Sequence, residues 1–297
     1  MAQIKFGGAH TIQKLDCLEK YLAAYLKVFK NLPWAHTIYV DAFAGTGEVP
    51  LAADYPELPL DQDGQAFIVG SARRALGITE NFSEYVFIEK KRGNARALEN
   101  LKASFSSKGP SINIVNADAN VGLQKICASR DWKKCRAVVF LDPFGSQVEW
   151  KTIQALAATK AVDLWYLFPA GLSVHRQVRK KDGSVHESHQ DSLDRILGTR
   201  EWRNAFAEEV DGELDLFSER RRQTKKVVTA DSATRFMIER MQGVFEGGVL
   251  DDWLPLGSGN VHMFSLLFAW ANPSANAKKA GEIARSVMRS GGSGRAK

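Results

Sequence analysis

Apolar residues along the chain follow two alternating patterns. Runs of about four to eight mostly apolar residues are typical of buried strands, and apolar residues at every third or fourth position are typical of amphipathic helices. The predicted strands, in order, are HTIYVDAFAG, YVFIEK, INIVNAD, AVVFLDPFG, VDLWYLFP and, much later, VHMFSLLFAWANP. The helices predicted before and between the first five strands are TIQKLDCLEKYLAAYLKVFKNLPW, SARRAL, GNARALENLKASF, VGLQKICASR and WKTIQALAATK.

Strands that alternate with helices indicate βαβ units, whose strands form a parallel sheet covered by helices on both faces. We therefore predict an α/β fold with a doubly wound, Rossmann-like sheet over 35–290. A helical segment at 1–34 precedes it, a mainly helical insertion at about 172–250 follows the fifth strand, and a disordered tail is predicted at 291–297. Within the insertion, SLDRILGTREWRNAFAEEV and ERRRQTKKVVTADSATRFMIERMQGVF are both predicted to be helical.

The composition narrows the class of protein. With 297 residues, 44% of them hydrophobic, the chain is long enough to bury a full core. It contains no run of about 18 apolar residues, and its start, MAQIKFGGAHTIQ, lacks the apolar centre of a signal peptide, so we expect a cytoplasmic protein without membrane contact. The three cysteines, Cys17, Cys127 and Cys135, show no CxxC spacing and predict neither a disulfide framework nor a zinc knuckle.

Charge adds one candidate surface. The net charge is +6, a modest basic excess that is compatible with a polyanionic partner and is also common among ordinary enzymes. The segment SVHRQVRKK directly follows the fifth strand, so its cations are placed to contact nucleic-acid phosphates. These cations are Arg176, Arg179, Lys180 and Lys181.

The first predicted strand ends in an acid and a glycine-containing turn, DAFAGTG. In open parallel sheets, ligands bind outside the carboxyl ends of the strands, and the first turn needs glycine where the backbone approaches the ligand. A dinucleotide site would have the spacing GxGxxG, whereas this turn has Asp41 before it and only Gly45 and Gly47 within it. This arrangement fits a ligand with an ammonium group, such as S-adenosylmethionine. The alternative is a plain turn between a strand and a loop.

Acids also follow the second and third strands. Glu89 lies at the end of the apolar run in YVFIEK, where a carboxylate can accept hydrogen bonds from both ribose hydroxyls of an adenosine. Asp118 lies in NADAN, where a carboxylate can accept from the adenine amino group. Either acid by itself is compatible with a solvated loop, but three strand-end acids in succession favour a nucleoside-containing cofactor.

The fourth strand carries the most specific motif, LDPFG. Methylation of an exocyclic amino nitrogen requires that its lone pair be freed from conjugation with the ring. A carboxylate from Asp142 and the carbonyl of Pro143 could accept the two amino hydrogens while Phe144 stacks on a flipped base. The alternative is a strand that ends at a proline next to a buried phenylalanine.

Together these motifs resemble a class I S-adenosylmethionine-dependent methyltransferase. The longer phrases HTIQKLDCLEKYL, YVDAFAGTG, GSARRAL, LDPFGSQVEWKTI, VDLWYLFPAG and FSLLFAWANP resemble the three-Cys-motif partner proteins (TcmP) over about 10–288. The resemblance implies a methyltransferase-like Rossmann domain and a partner protein that carries a radical-enzyme-like three-cysteine motif. The DPFG tetrapeptide is also similar to that of tRNA guanine-amino dimethyltransferases. It is similar as well to the DPP(Y/F) tetrapeptide of adenine- and guanine-amino enzymes that act on RNA or DNA. Because Gly145 replaces the aromatic fourth residue of that tetrapeptide, the stacking ring is left open between Phe144 and Trp150.

The resemblance also implies roles for individual residues. Asp41, Phe43, Gly45 and Gly47 would form the turn beside the methionine part of the cofactor, Glu89 would bind the ribose and Asp118 the adenine edge. Asp142 and Pro143 would hold the target amino group. His10 and Lys14 match the family's leading H-x-x-x-K pattern and would close over the cofactor, although a helix start with a solvated lysine is the alternative.

Several alternatives stay open at this point. A nicotinamide-dependent dehydrogenase would share the fold but requires a third glycine. A non-catalytic or partner-dependent module would keep the fold for assembly with the three-cysteine protein. As acceptor, RNA is slightly favoured over DNA, and a small amine or a protein is the further possibility. The sequence HESH contains two histidines, but two ligands do not form a metal site, and we expect no metal.

Overall fold

A computed structural model describes residues 9–30, 32, 34–50, 67–105, 109–178, 185–211, 222–258 and 261–292. Three of the predicted phosphate contacts, Arg179, Lys180 and Lys181, lie outside these ranges, as does most of the predicted tail. Among the described residues, no helix is both long and apolar enough to cross a membrane.

The described strands form one main sheet and two small hairpins. Their bounds are β1 His36–Asp41, β2 Glu48–Pro50, β3 Phe67–Val69, β4 Glu84–Ile88, β5 Ser111–Val115, β6 Cys135–Leu141, β7 Val162–Phe168, β8 Ala207–Asp211, β9 Arg222–Lys226, β10 Gly248–Val249, β11 Leu254–Ser258 and β12 Val261–Trp270. The main sheet has the order β5-β4-β1-β6-β7-β12, and β10 and β11 both pair with the free side of β12.

The first five strands of the main sheet are parallel, and β12 runs antiparallel to β7. The parallel strands β1, β4, β6 and β7 are buried along almost their whole length, as their apolar runs predict. Successive side chains point to opposite faces of the sheet, so Ile38 and Val40 join one apolar core and Tyr39 joins the other. This order and burial confirm the predicted α/β Rossmann-like fold.

Helices cover both faces of the sheet. Their bounds are α1 Ala9–Phe29, α2 Ser71–Gly77, α3 Arg92–Phe105, α4 Ala119–Ser129, α5 Trp150–Ala158, α6 His175–Gln177, α7 Glu187–Leu197, α8 Trp202–Phe206, α9 Ala230–Gln242 and α10 Lys278–Gly292. The N-terminal helix α1 packs against α10 and α2. One face of α1 is therefore buried along its length, including Leu15, Leu18, Tyr21 and Leu22.

The insertion after β7 differs from its prediction in two segments, β8 and β9. Helices α6 to α9 lie there, but β8 and β9 form an antiparallel hairpin with Ala207 opposite Lys226. Residues 207–210 were predicted to end the helix of SLDRILGTREWRNAFAEEV, and the residues of β9 were predicted to begin the helix that is observed as α9. That helix begins later because Thr229 and Ser232 form a reciprocal capping box at its N-terminus, which favours a helix start at this point.

The three cysteines are unpaired, and Cys127 is only partly buried. Burial raises the pKa of Cys17 to about 11 and that of Cys127 to about 12. Because the thiolate is the reactive form, neither residue has the features of a reactive cysteine.

Candidate functional site

The candidate site lies at the carboxyl ends of the parallel strands. After β1 the chain builds the sheet in one direction through β4 and β5, and then returns to place β6 on the other side of β1. Ligands of doubly wound sheets bind at this reversal of strand order. Asp41 is the last residue of β1 and pairs with Phe140 of β6, and Asp142 follows β6 directly. The fold thus brings the acids of the first and fourth predicted strands to the reversal point.

Asp41 is fully buried. Its Oδ1 accepts a hydrogen bond of 3.2 Å from the backbone N–H of Phe43, and the Tyr39 hydroxyl lies 3.5 Å from its Oδ2. Burial raises the pKa of Asp41 to about 7, and the negative charge of Asp142 adds to the effect. Hydrogen bonds from Ser71 and Phe43 and the charge of Lys14 oppose this increase. The site therefore holds two close carboxyl groups whose charges repel each other.

Lys14 connects the N-terminal helix to this pair of acids. Its Nζ lies 2.5 Å from Oδ2 of Asp142, across 128 residues of sequence, and only 11% of its side chain is exposed. Within the described part of the chain, no donor to Oδ1 of Asp142 is found. One oxygen of Asp142 is thus held by an ammonium group, and the other remains available as an acceptor. His10 lies one helical turn before Lys14 in α1.

The turn after β1 depends on its glycines. Gly45 and Gly47 have φ angles of +62° and +83°, a region that side chains with a Cβ rarely adopt. A Cβ on Gly47 would also lie 2.8 Å from a methyl carbon of Leu101. The backbone N–H of Gly45 donates to Oε2 of Glu89 over 3.1 Å. The glycine turn is therefore tied to the end of the second strand.

Glu89 and Asp118 are both held in place by hydrogen bonds. Oε1 of Glu89 accepts from the backbone N–H of Lys91 at 2.7 Å. Asp118 caps α4, accepting from the backbone N–H of Asn120 at 3.0 Å, and pairs with Lys90 at 3.2 Å. Burial would raise the pKa of Asp118, but these hydrogen bonds outweigh it, and the pKa lies below its ordinary value. Each oxygen has two lone pairs, so both acids retain acceptor capacity.

The loop after Asp142 is clamped by Asn120, whose importance the sequence did not reveal. The Asn120 side chain donates to the carbonyl of Gln147 at 2.9 Å and accepts from the backbone N–H of Glu149 at 2.9 Å. The Gln147 side chain in turn accepts from the backbone N–H of Phe144 at 2.8 Å. In the sequence, Asn120 follows Asp118 by two residues, a spacing that is typical of a helix start capped by the acid. The residues around Asn120 do not indicate that its side chain binds the loop after Asp142.

The two candidate stacking rings differ in exposure. Phe144 is 66% exposed, whereas Trp150 is 5% exposed and belongs to the core. Trp150 packs so closely on Gly198 that a Cβ there would lie 2.0 Å from its ring, and the guanidinium of Arg240 lies 4.8 Å from its ring centroid. Trp150 therefore has no open ring face for a base, and Phe144 has the accessible ring.

Cations flank the same loop. Arg176 is exposed on α6, and the next residue, Gln177, donates to the Ser146 hydroxyl at 3.0 Å. Arg195 of α7 reaches the Ser146 carbonyl at 3.5 Å. The exposed cation Lys90 lies at the end of β4 on the same edge of the sheet. Two exposed cations thus lie on the helices that contact the loop of Phe144, and a third lies at a neighbouring strand end.

A hydrogen-bonded cluster of Asp231, His262 and Ser265 has the connectivity of a hydrolase triad. Asp231 and Ser265 lie 2.9 Å from the two ring nitrogens of His262. However, Ser265 is completely buried and is also bonded to Thr234 at 2.6 Å. A serine nucleophile must be reached by its substrate, so we assign this cluster the structural role of joining β12 to α9.

The two histidines of HESH lie at the start of α7. The ring of His186 accepts from the backbone N–H of Ser188 at 3.3 Å and so caps this helix, and its centroid lies 6.0 Å from that of His189. In the described ranges, no group of three or more side chains suited to a metal ion occurs.

Comparisons with known proteins extend the fold assignment. A Legionella pneumophila protein described under the family model DUF519 is similar over 95% of this chain and 92% of its own, with a TM-score of 0.50 and 12% identity. The fold is Rossmann-like. An S-adenosylmethionine-dependent methyltransferase from Clostridium acetobutylicum is similar at a TM-score of 0.36 and 9% identity, covering 85% of this chain and 91% of its own.

A third solved structure is the N-terminal domain of EvdMO1 in the presence of SAH and D-fucose. It has a TM-score of 0.36 and 10% identity, covering 84% of this chain and 82% of its own. No family model and no curated protein matches the chain. The resemblance to three-Cys-motif partner proteins therefore stays a prediction.

Proposed function

We propose that this protein is an S-adenosylmethionine-dependent methyltransferase that acts on an exocyclic amino group of a nucleic-acid base, with RNA slightly favoured over DNA. The observation that carries the proposal is the pairing of Asp142 with Lys14 at the reversal point of the sheet, which leaves Oδ1 of Asp142 as an acceptor beside the exposed ring of Phe144.

The acceptors at the strand ends fit the chemistry of the cofactor. The ammonium group, the ribose hydroxyls and the adenine amino group of S-adenosylmethionine are all donors, and Asp41, Glu89 and Asp118 are all acceptors. The space beside the backbone of Gly45 is open, since a Cβ built there would meet nothing within 4 Å. A ligand can therefore approach the backbone of this turn closely. When bound, S-adenosylmethionine supplies an electrophilic methyl group on a sulfonium.

The residues after β6 would orient the acceptor nitrogen. Oδ1 of Asp142 and the Pro143 carbonyl can accept the two amino hydrogens, which turns the nitrogen lone pair away from the base ring. Loss of an amino proton to Asp142 would complete the transfer. The Phe144 ring would stack on the base, an interaction worth about 1–3 kcal/mol by alanine substitution. Lys14 would keep the carboxylate in position.

The cations around the site would contact the nucleic-acid backbone. Arg176 and Arg195 lie beside the loop that carries Phe144, and Lys90 lies at the neighbouring strand end. Arg179, Lys180 and Lys181 continue the same basic segment in the sequence and belong to this proposal. Phosphate contacts would position the nucleic-acid strand on the protein but would not distinguish its base sequence.

The proposal is tested by transfer of a labelled methyl group from S-adenosylmethionine to total RNA and, separately, total DNA from cells that lack the gene. We expect label in one pool, recovered after nucleoside digestion as a methylated amino base and absent with Asp142→Asn. Each reaction is repeated with the predicted three-Cys-motif partner protein added. If no pool is labelled in either set, the proposed activity is wrong.

Replacement of Glu89 by alanine tests the cofactor side. The change removes a charged acceptor for the ribose and a tie to Gly45, and we expect cofactor affinity to fall by roughly 1–3 kcal/mol. Isothermal titration with S-adenosylhomocysteine measures the loss. The matched control is Glu99→Ala, an exposed acid on α3. An affinity unchanged from the native protein would remove Glu89 from the site.

Replacement of Phe144 tests the acceptor side. Phe144→Ala should raise the KM for nucleic acid by about tenfold or more, because a base loses its stacking partner, while Phe144→Tyr should retain the native KM. Since the residue is exposed, neither change should alter the melting temperature. Equal loss of activity in both variants would contradict a stacking role.

A further inference from the structure

A cavity lies at the opposite edge of the sheet from the candidate site. It has a volume of about 310 Å³ and is bordered by α1, α10, the segment before α10 and the first residues of β6 and β7, where Arg136 and Asp163 line its wall. Asp142 follows the other end of β6, about 20 Å away at the usual rise of a strand. The cavity is therefore separate from the proposed methyl-transfer site.

Two polar groups in this wall lack a full set of protein partners. Oδ2 of Asp163 accepts a hydrogen bond of 2.7 Å from the Tyr21 hydroxyl, but in the described part of the chain no donor to Oδ1 is found. Likewise, no hydrogen bond to the Tyr25 hydroxyl is found among the described residues. Burial raises the pKa of Asp163 to about 7. The residues that carry these two groups both line the cavity, so a ligand that fills it can supply complementary hydrogen-bonding atoms.

The other walls are mainly aromatic. Tyr21, Tyr25, Phe29 and Trp34 all line the cavity, and the rings of Tyr25 and Phe29 lie 4.5 Å apart. Trp34 is 51% exposed at the rim, with the guanidinium of Arg136 stacked over it at 4.9 Å. Flat aromatic walls favour a flat ligand, because stacked rings maximise contact area.

The charges of the wall favour a neutral ligand over a cationic one. Asp163 is its one acid among the described residues, whereas Arg136 and Lys279 are both cations. An organic cation would meet a net positive wall, but a neutral ring with N–H groups would meet an acceptor in Asp163 and either a donor or an acceptor in Tyr25.

From this combination we propose that the cavity binds a small, neutral, planar nitrogen heterocycle of the purine class, as the base or the nucleoside. Its N–H edge donates to Oδ1 of Asp163, its ring packs against Tyr25 and Trp34, and its substituent points to the exposed rim near Lys279. The site is independent of the methyl-transfer site at the other edge of the sheet.

The test is titration of the full-length protein with adenosine, guanosine and their free bases, monitored by isothermal calorimetry. We expect at least one of them to bind with one-to-one stoichiometry, and Asp163→Asn to weaken its binding by about tenfold or more. The asparagine keeps an oxygen for Tyr21 but presents an amide N–H where the ligand donates. Asn276→Trp, a change at an exposed rim position, should block entry without disturbing the core.

Two controls locate the binding. Asn100→Trp places the same bulk on the exposed face of α3 and should leave binding unchanged. Glu89→Ala should also leave it unchanged, whereas a nucleoside that occupies the carboxyl edge of the sheet would be weakened by this change. The inference is overturned if no purine binds, or if the bound purine is insensitive to Asn276→Trp. These outcomes are independent of whether the methyl-transfer assay succeeds.

Discussion

Asp142→Asn is expected to lower the rate of methyl transfer by about 10²–10⁴-fold, the scale of a positioned acid or base. The asparagine has nearly the same shape, but it offers only one acceptor oxygen, which Lys14 would occupy. An N–H group would then face the amino group of the acceptor, and two donors cannot hydrogen-bond to each other. Single-turnover transfer with labelled cofactor measures the loss.

Asparagine is preferred to alanine at this position because of Lys14. The Lys14 side chain is largely buried, and alanine would leave its charge without the oxygen that lies 2.5 Å away. Removal of one partner from a buried ion pair costs about 3–5 kcal/mol, so a loss of folding would be mistaken for a loss of catalysis. With Asp142→Asn, cofactor affinity should stay within a few-fold of the native value. Asp131→Asn, at an exposed acid, is the matched control. A variant that keeps full activity would contradict the assignment of Asp142.

The second large effect concerns stability and pH. We compare the free energy of unfolding of Asp41→Asn with that of the native protein, both without cofactor. The difference in favour of the variant should be roughly 3 kcal/mol larger at pH 8 than at pH 5. The pKa of Asp41 is about 7 in the folded protein, against an ordinary value of 3.8. Below pH 3.8 the group is protonated in both states, and above about pH 7 it must ionise inside the folded protein.

The sign follows from proton binding. Between these two pKa values the folded state binds a proton that the unfolded state releases, so the contribution of Asp41 to stability falls as pH rises. Asparagine does not titrate and lacks this loss. Urea unfolding of both proteins at the two pH values gives the difference, in which the similar titration of Asp163 cancels because both proteins retain it. The same stability difference at both pH values would contradict a raised pKa for Asp41.

The main sheet was predictable because its information is local. Each buried parallel strand is a short apolar run, so β1, β4, β6 and β7 could be recognised without knowledge of their neighbours. The strands β8 and β9, with the sequences AEEVD and RQTKK, were missed because neither contains an apolar run and each provides the hydrogen bonds of the other. The short strands β10 and β11 likewise depend on the edge of β12 to which they pair.

The candidate site was predictable only in part. An acid after a buried strand is visible in the sequence, so Asp41, Glu89, Asp118 and Asp142 could be named. The burial of Trp150 could not be predicted, because it results from contact with Gly198 and Arg240 in the insertion. The role of Asn120 as a clamp also depends on a loop that follows a different strand.

Apolar periodicity and strand-end residues were thus sufficient to assign the fold class and to propose which acids share an edge, since both follow from the conformation of short segments. Only the tertiary structure joined Lys14 to Asp142, raised the pKa of Asp41 and formed the cavity between α1, α10 and the amino ends of β6 and β7. Each of these features depends on distances between segments that are far apart in the chain. Such distances are determined by how helices pack on the sheet, and they leave no periodic pattern in either segment.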